Sequence, residues 1–87
     1  MPDDTETVVL ELLAQAGIAV SPGAIAANVA HFTERDPSAA DVATALETLD
    51  AENYVRTLAD TDYYRLTDHG RNYVEQEFVE NAPGYID

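Results

Sequence analysis

Apolar residues along this chain recur at helical spacing, then at strand spacing, then at helical spacing again. The clearest segment is residues 38–55. Val42, Ala45, Leu46 and Leu49 fall at i, i+3, i+4 and i+7 there, which marks one buried helix face. Ser38 stands where a cap belongs, and Asp41 three residues later completes a capping-box-like pattern. Asp36-Pro37 stops a helix from running in. Beyond Asp50, Ala51, Glu52 and Asn53 the spacing changes to that of a strand at Tyr54-Val55.

Upstream, Asp3 or Thr5 is expected to cap a first helix, with Asp4 and Glu6 where a helix N-terminus favours negative charge. Val9, Leu12, Leu13 and Ala16 form its expected stripe, and Gly17 its C-terminal cap. Ile18-Ala19-Val20 is too brief for a helix and reads as a small strand. Ser21-Pro22 restarts a helix, with Ile25, Ala26 and Val29 pointing inward. Residues 31–37 read as a turn in which Phe32 plugs the core.

Downstream, residues 54–58 and 63–66 are β-prone, and Ala59-Asp60-Thr61-Asp62 between them reads as a hairpin tip. Thr67 or Asp68 caps a last helix expected to run to about Val79, with Gly70 permitting close packing and Tyr73, Val74, Glu77 and Phe78 along one side. Pro83-Gly84 marks a turn and tail. The expectation is an α+β, mainly α, fold: one domain over residues 1–80 and a tail over 81–87.

The order is helix, short strand, helix, helix, hairpin, helix. Three stretches carry a resemblance: Ser21-Pro-Gly-Ala-Ile-Ala-Ala-Asn-Val, Val42 to Val55, and Tyr64-Arg-Leu-Thr-Asp-His-Gly-Arg-Asn-Tyr-Val. Together they resemble a winged helix-turn-helix DNA-binding domain, and in particular small haloarchaeal phage-repressor-like transcriptional regulators. The passage from hairpin to last helix is similar to the Y-x-L-T-x-x-G-R-x-Y turn of many MarR- and PadR-like regulators. The resemblance covers roughly residues 6 to 78. It implies a three-helix core, a two-stranded wing and a C-terminal helix, with the helix after residue 38 as recognition helix.

Charge changes the picture. Seventeen acids face four basic residues, a net charge of −13, and lysine is absent. This composition, rich in Ala, Val, Asp and Thr, suits a protein of a high-salt cytoplasm. At molar salt the Debye length is about 3 Å, so surface carboxylates repel one another little. Loosening in low salt is expected. Met1-Pro2-Asp3-Asp4 lacks the layout of a signal peptide, and no apolar run is long enough to span a membrane. With no cysteine there is no disulfide or thiolate chemistry. A cytoplasmic location is expected.

All four basic residues, Arg35, Arg56, Arg65 and Arg71, lie in the part of the chain that would face DNA. The resemblance adds Ser38, Ala40, Thr44 and Thr48 on the outward face of the recognition helix as phosphate or base contacts. An α-helix fits the major groove, and an alanine methyl can touch a thymine methyl. The same segment holds eight acids: Asp36, Asp41, Glu47, Asp50, Glu52, Asp60, Asp62 and Asp68. Phosphate affinity normally comes from lysine and arginine, so the acids oppose binding. The sequence therefore supports two functions: a homodimeric regulator, a repressor by preference, on double-stranded DNA, or a winged helix used for protein interaction or dimerisation. Val8, Val79, Tyr85 and Ile86 are the candidate dimer-interface residues, on the first helix, the last helix and the tail.

Enzymatic chemistry has little support. His31 and His69 have no metal-ligand spacing, and Asp68-His69 has no accompanying nucleophile or glycine-rich loop. No metal, cofactor or small-molecule substrate is expected. One of Tyr63 and Tyr64 is expected in the core, and the other is free to stack on a base or cover the wing.

Overall fold

The computed structural model describes residues 4–76. In chain order the elements are α1 (Asp4–Ala16), α2 (Pro22–Phe32), α3 (Ala39–Ala51), β1 (Val55–Thr57), β2 (Tyr64–Leu66) and α4 (Asp68–Val74). The two strands form one antiparallel sheet. The fold is thus α+β and mainly helical. No helix among the described residues is long and apolar enough to cross a membrane.

Local chemistry sets the boundaries. Gly17 ends α1 at φ 71°, a left-handed conformation that glycine adopts without steric cost. Ser21 caps α2 by accepting from the Ala24 N–H at 3.2 Å, and Pro22 occupies the first turn. Ser38 caps α3 in a full capping box. Its hydroxyl accepts from the Asp41 N–H at 3.0 Å, and the Asp41 carboxylate accepts from the Ser38 N–H at 3.3 Å. α3 ends in a Schellman motif around Asn53, which takes φ 67°. There the Tyr54 N–H donates to the Leu49 carbonyl and the Asn53 N–H to the Asp50 carbonyl, both at 2.9 Å.

The core lies where α3 crosses α1 and α2. Val42, Leu46 and Leu49 are fully buried, against Val9, Leu10 and Leu13 of α1 and Ile25 and Val29 of α2. The hairpin closes one side through Val55 and Leu66, which face each other in register. α4 packs on α1 and adds Val74. A single bridge joins Val20 to Tyr64, with both N–H···O bonds at 2.9 Å, so of the expected strand after α1 only one residue pairs with β2.

Three expectations change. The stripe of α1 includes Leu10, and Ala16 is exposed. The reason is that α1 is touched by α2 and α3 and also by α4 and β2, so its buried face is wider than one stripe. The strands are shorter than expected, and the loop between them spans residues 58–63. Phe32 is no core plug: it is 75% exposed. It lies seven residues after Ile25, hence on the same side of α2, but in the last turn, where no neighbouring element covers it. The last helix is α-helical over Asp68–Val74; Glu77, Phe78 and Val79 at its expected end lie outside the described residues, as does Asp3.

The junction from β2 to α4 explains why a Leu-Thr-x-x-Gly sequence stands there. Leu66 enters the core. The Thr67 hydroxyl donates to the Asn53 carbonyl at 2.6 Å, with the Tyr54 carbonyl also in reach at 3.1 Å, and accepts from the Gly70 N–H at 3.0 Å. One side chain therefore caps α4 and ties it to the end of α3. A Cβ at position 70 would meet the Tyr54 carbonyl oxygen and, at 2.9 Å, a Leu66 methyl. Gly70→Ala is accordingly expected to destabilise the domain by about 1–3 kcal/mol, although helix propensity alone favours alanine by about 1 kcal/mol. Chemical denaturation in molar KCl checks the sign, and a variant more stable than the parent would refute the close-approach account.

Candidate nucleic-acid interface

Because α3 buries Val42, Ala45, Leu46 and Leu49, its opposite side faces outward. Ser38, Ala39, Ala40, Thr44, Glu47 and Thr48 are exposed there and Ala43 is half-buried. The first half of this face is built of small side chains. Ser38 uses an oxygen lone pair for its cap and keeps its hydroxyl proton for donation, but the Asp41 carboxylate stands beside it. The Thr48 hydroxyl donates to the Thr44 carbonyl at 3.3 Å, which leaves its oxygen as an acceptor.

The hairpin brings two cations together. Arg56 and Arg65 are directly opposed across β1 and β2, and both are exposed. Directly opposed residues project from the same face of a sheet, and like charges so placed repel. Neither arginine forms an ion pair with another described residue. One Arg65 N–H donates to the neighbouring Leu66 carbonyl at 3.3 Å. The pair thus places two positive charges on one hairpin face with no ion-pair partner among the described residues, and an anion bridging both guanidinium groups would relieve the repulsion.

The remaining arginines are placed differently. Arg71 is exposed on α4 and also lacks an ion pair among the described residues. Arg35 reaches back to α1, where its Nη2 lies 3.5 Å from an Asp4 carboxylate oxygen. That pair is exposed, 50% and 83% by side chain, and such contacts contribute about 0–1 kcal/mol. Arg35 is therefore held beside the start of α1 by a contact weak enough to exchange.

Acidic groups divide the surface. The Tyr64 hydroxyl is pushed above its ordinary 10.0, by burial first and then by Asp50, Glu47 and Asp62. Those carboxylates come from the second half of α3 and from the hairpin loop, so negative charge from both elements acts on Tyr64. Of the adjacent tyrosines, Tyr64 packs against the core and Tyr63 is 46% exposed. Two features were not legible in the sequence. Tyr54 stacks on His69 at 4.8 Å with rings 3° from parallel, and leans on Tyr73 at 5.0 Å. Ile18 and Phe32 leave an apolar groove beside α1. Val8 is half-buried against the core and lines this groove as well. Val79, Tyr85 and Ile86 lie outside the described residues. No three His, Asp or Glu side chains among the described residues converge to hold a metal ion.

No family model, curated protein or solved structure matches this chain.

The raised Tyr64 value gives a pH dependence of definite sign. Ionising Tyr64 is harder in the folded than in the unfolded state, so its stabilising contribution is intact below about pH 10. That contribution is lost as pH rises through the higher folded value. Denaturant melts across the alkaline range are expected to show wild type losing stability relative to Tyr64→Phe above pH 10. Molar KCl should shrink this difference in part, because salt screens the carboxylates and leaves the burial unchanged. A difference independent of pH would contradict the raised Tyr64 value.

Proposed function

We propose that this domain is a winged helix-turn-helix that binds double-stranded DNA and regulates transcription, as a homodimeric repressor. The observation that carries this reading is the Arg56–Arg65 pair, two exposed cations opposed on one hairpin face with no ion-pair partner among the described residues. In this reading the hairpin is the wing and grips phosphates with that pair. The small-residue half of α3, with Ala40 and Thr44 outward, approaches the base edges, and Ser38 and Thr48 supply hydroxyl groups. Arg71 supports the wing from α4, and Arg35 contributes once released from Asp4.

Acidic groups set the conditions. In dilute buffer, Glu47, Asp50 and Asp62 would repel a phosphate backbone. In a halophilic cytoplasm the Debye length falls to about 3 Å, and only groups in near contact still act. The directly opposed arginines satisfy that requirement, whereas a diffuse basic surface would not.

A second reading, a protein-interaction or dimerisation module without DNA, is favoured by the apolar groove at Ile18 and Phe32. The double variant Arg56→Glu/Arg65→Glu separates the two. It is expected to lower retention on bulk duplex DNA in molar KCl by at least about tenfold, with an unchanged thermal melt because both side chains are exposed. Undiminished retention would remove the wing from the interface. Failure of the parent protein to bind duplex DNA at all would favour the second reading.

A further inference from the structure

The pairing of the hairpin continues past the arginines toward its tip. There Leu58 stands opposite Tyr63, and the Leu58 N–H donates to the Tyr63 carbonyl at 3.0 Å. Residues two apart on a strand share a face, so the Leu58–Tyr63 pair lies beside the Arg56–Arg65 pair, about 7 Å along the strands. The opposite face carries Val55 and Leu66 into the core. Leu58 and Tyr63 are large, apolar and exposed, at 40% and 46%. The Tyr63 ring has no ring partner among the described residues, whereas Tyr54 is stacked on His69 and Tyr64 packs against the core. Thr61 fixes the loop that carries the ring. Its N–H and hydroxyl both donate to the Leu58 carbonyl, at 3.2 and 3.1 Å, and its hydroxyl oxygen accepts from the Tyr63 N–H at 3.1 Å. We propose that this hairpin face binds single-stranded nucleic acid, with one phosphate between Arg56 and Arg65 and the adjoining base stacked on the Tyr63 ring.

Charge complementarity selects the occupant. Two opposed guanidinium groups with no ion-pair partner among the described residues call for an anion. An exposed ring beside them calls for a flat apolar group. Asp60 and Asp62, both exposed in the loop, turn a phosphate away from the tip and leave that end to an uncharged group. The order along the face is therefore fixed: the anion at the arginines, the flat group at Tyr63. A nucleotide has this make-up, a phosphate and an uncharged base joined through a sugar that spans about the distance between the two residue pairs. Single-strand sites are built in the same way, from cations that follow the backbone and aromatic rings on which bases stack.

Other anions use only part of the face. A duplex offers its phosphates to the arginines but keeps its bases stacked on one another, so Tyr63 and Leu58 stay uncovered. A free inorganic anion leaves them uncovered too. An anionic lipid surface repels a chain with a net charge of −13 and no lysine. Stacking also suits strong salt, where phosphate attraction is screened to near contact and ring-on-ring contact is not. This assignment rests on the phosphate grip proposed above and adds an unpaired strand to it.

An NMR titration of the whole isotope-labelled chain with an oligothymidylate of about 10 nucleotides, in molar KCl, tests it. The signals of Arg56, Arg65 and Tyr63 are expected to move together and to saturate. Tyr63→Ala is expected to weaken this binding by about 5- to 150-fold, the range for losing one stacked base. Tyr63→Phe keeps the ring and should bind as the parent does. Retention of Tyr63→Ala on long duplex DNA, which has few ends, is expected to equal that of the parent. Its thermal melt should be unaltered, because Tyr63 lies off the core. A Tyr63→Ala chain that binds the oligomer as tightly as the parent overturns the proposal. So does equal loss of oligomer and duplex binding in that variant, since the ring would then serve no unpaired base. A parent that binds duplex DNA but not the oligomer also overturns it and leaves the duplex reading standing. A parent that binds neither overturns both.

Discussion

The packing of α3 across α1 and α2 is the contact on which the other features depend. It buries Val42, Leu46 and Leu49 completely, and each such side chain stabilises the fold by about 1.5–3 kcal/mol relative to exposure. The same contact decides which side of α3 is left to solvent. The Schellman end at Asn53 then directs the chain into β1, and Thr67 returns it to the same point from β2. The outward face of α3, the direction of the hairpin and the start of α4 are thus set by one packed helix and two local hydrogen-bonding motifs.

Charge is distributed against this frame unevenly. Four arginines are the only permanent cations in the chain, and two of them are opposed on the hairpin. Acids of α3 and the hairpin loop act on Tyr64. The apolar groove at Ile18 and Phe32 is nearly free of charge. A surface of this kind works by short-range contacts in strong screening. The proposed roles of the hairpin, phosphate capture and base stacking, both have that character.

Much of the fold was legible in the sequence because its determinants are local. Ser21-Pro22, the Ser38–Asp41 box and Gly17 act within a few residues of themselves, and the stripe of α3 is a simple period. The inward residues of α2, Ile25, Ala26 and Val29, follow the same logic. Leu10 and Phe32 were misread for a shared reason. Their burial depends on which other elements reach them, and periodicity on one helix does not encode that. The candidate site divides in the same way. That Arg56 and Arg65 lie on strands was readable, but their direct opposition depends on register, fixed by the residue 58–63 loop and by the Val55–Leu66 core pair. The joint influence of Glu47, Asp50 and Asp62 on Tyr64 was not readable, because it comes from two elements that the fold brings together.

The central claim is that this acidic domain reads duplex DNA in strong salt. The most direct measurement is selection by the intact protein from a random-sequence duplex library in molar KCl, followed by sequencing of the retained fraction. The account predicts enrichment of a short inverted repeat, with half-sites about one helical turn apart, as a two-fold dimer requires. A retained fraction no different from the input library, from protein shown to be folded in the same salt, would contradict it.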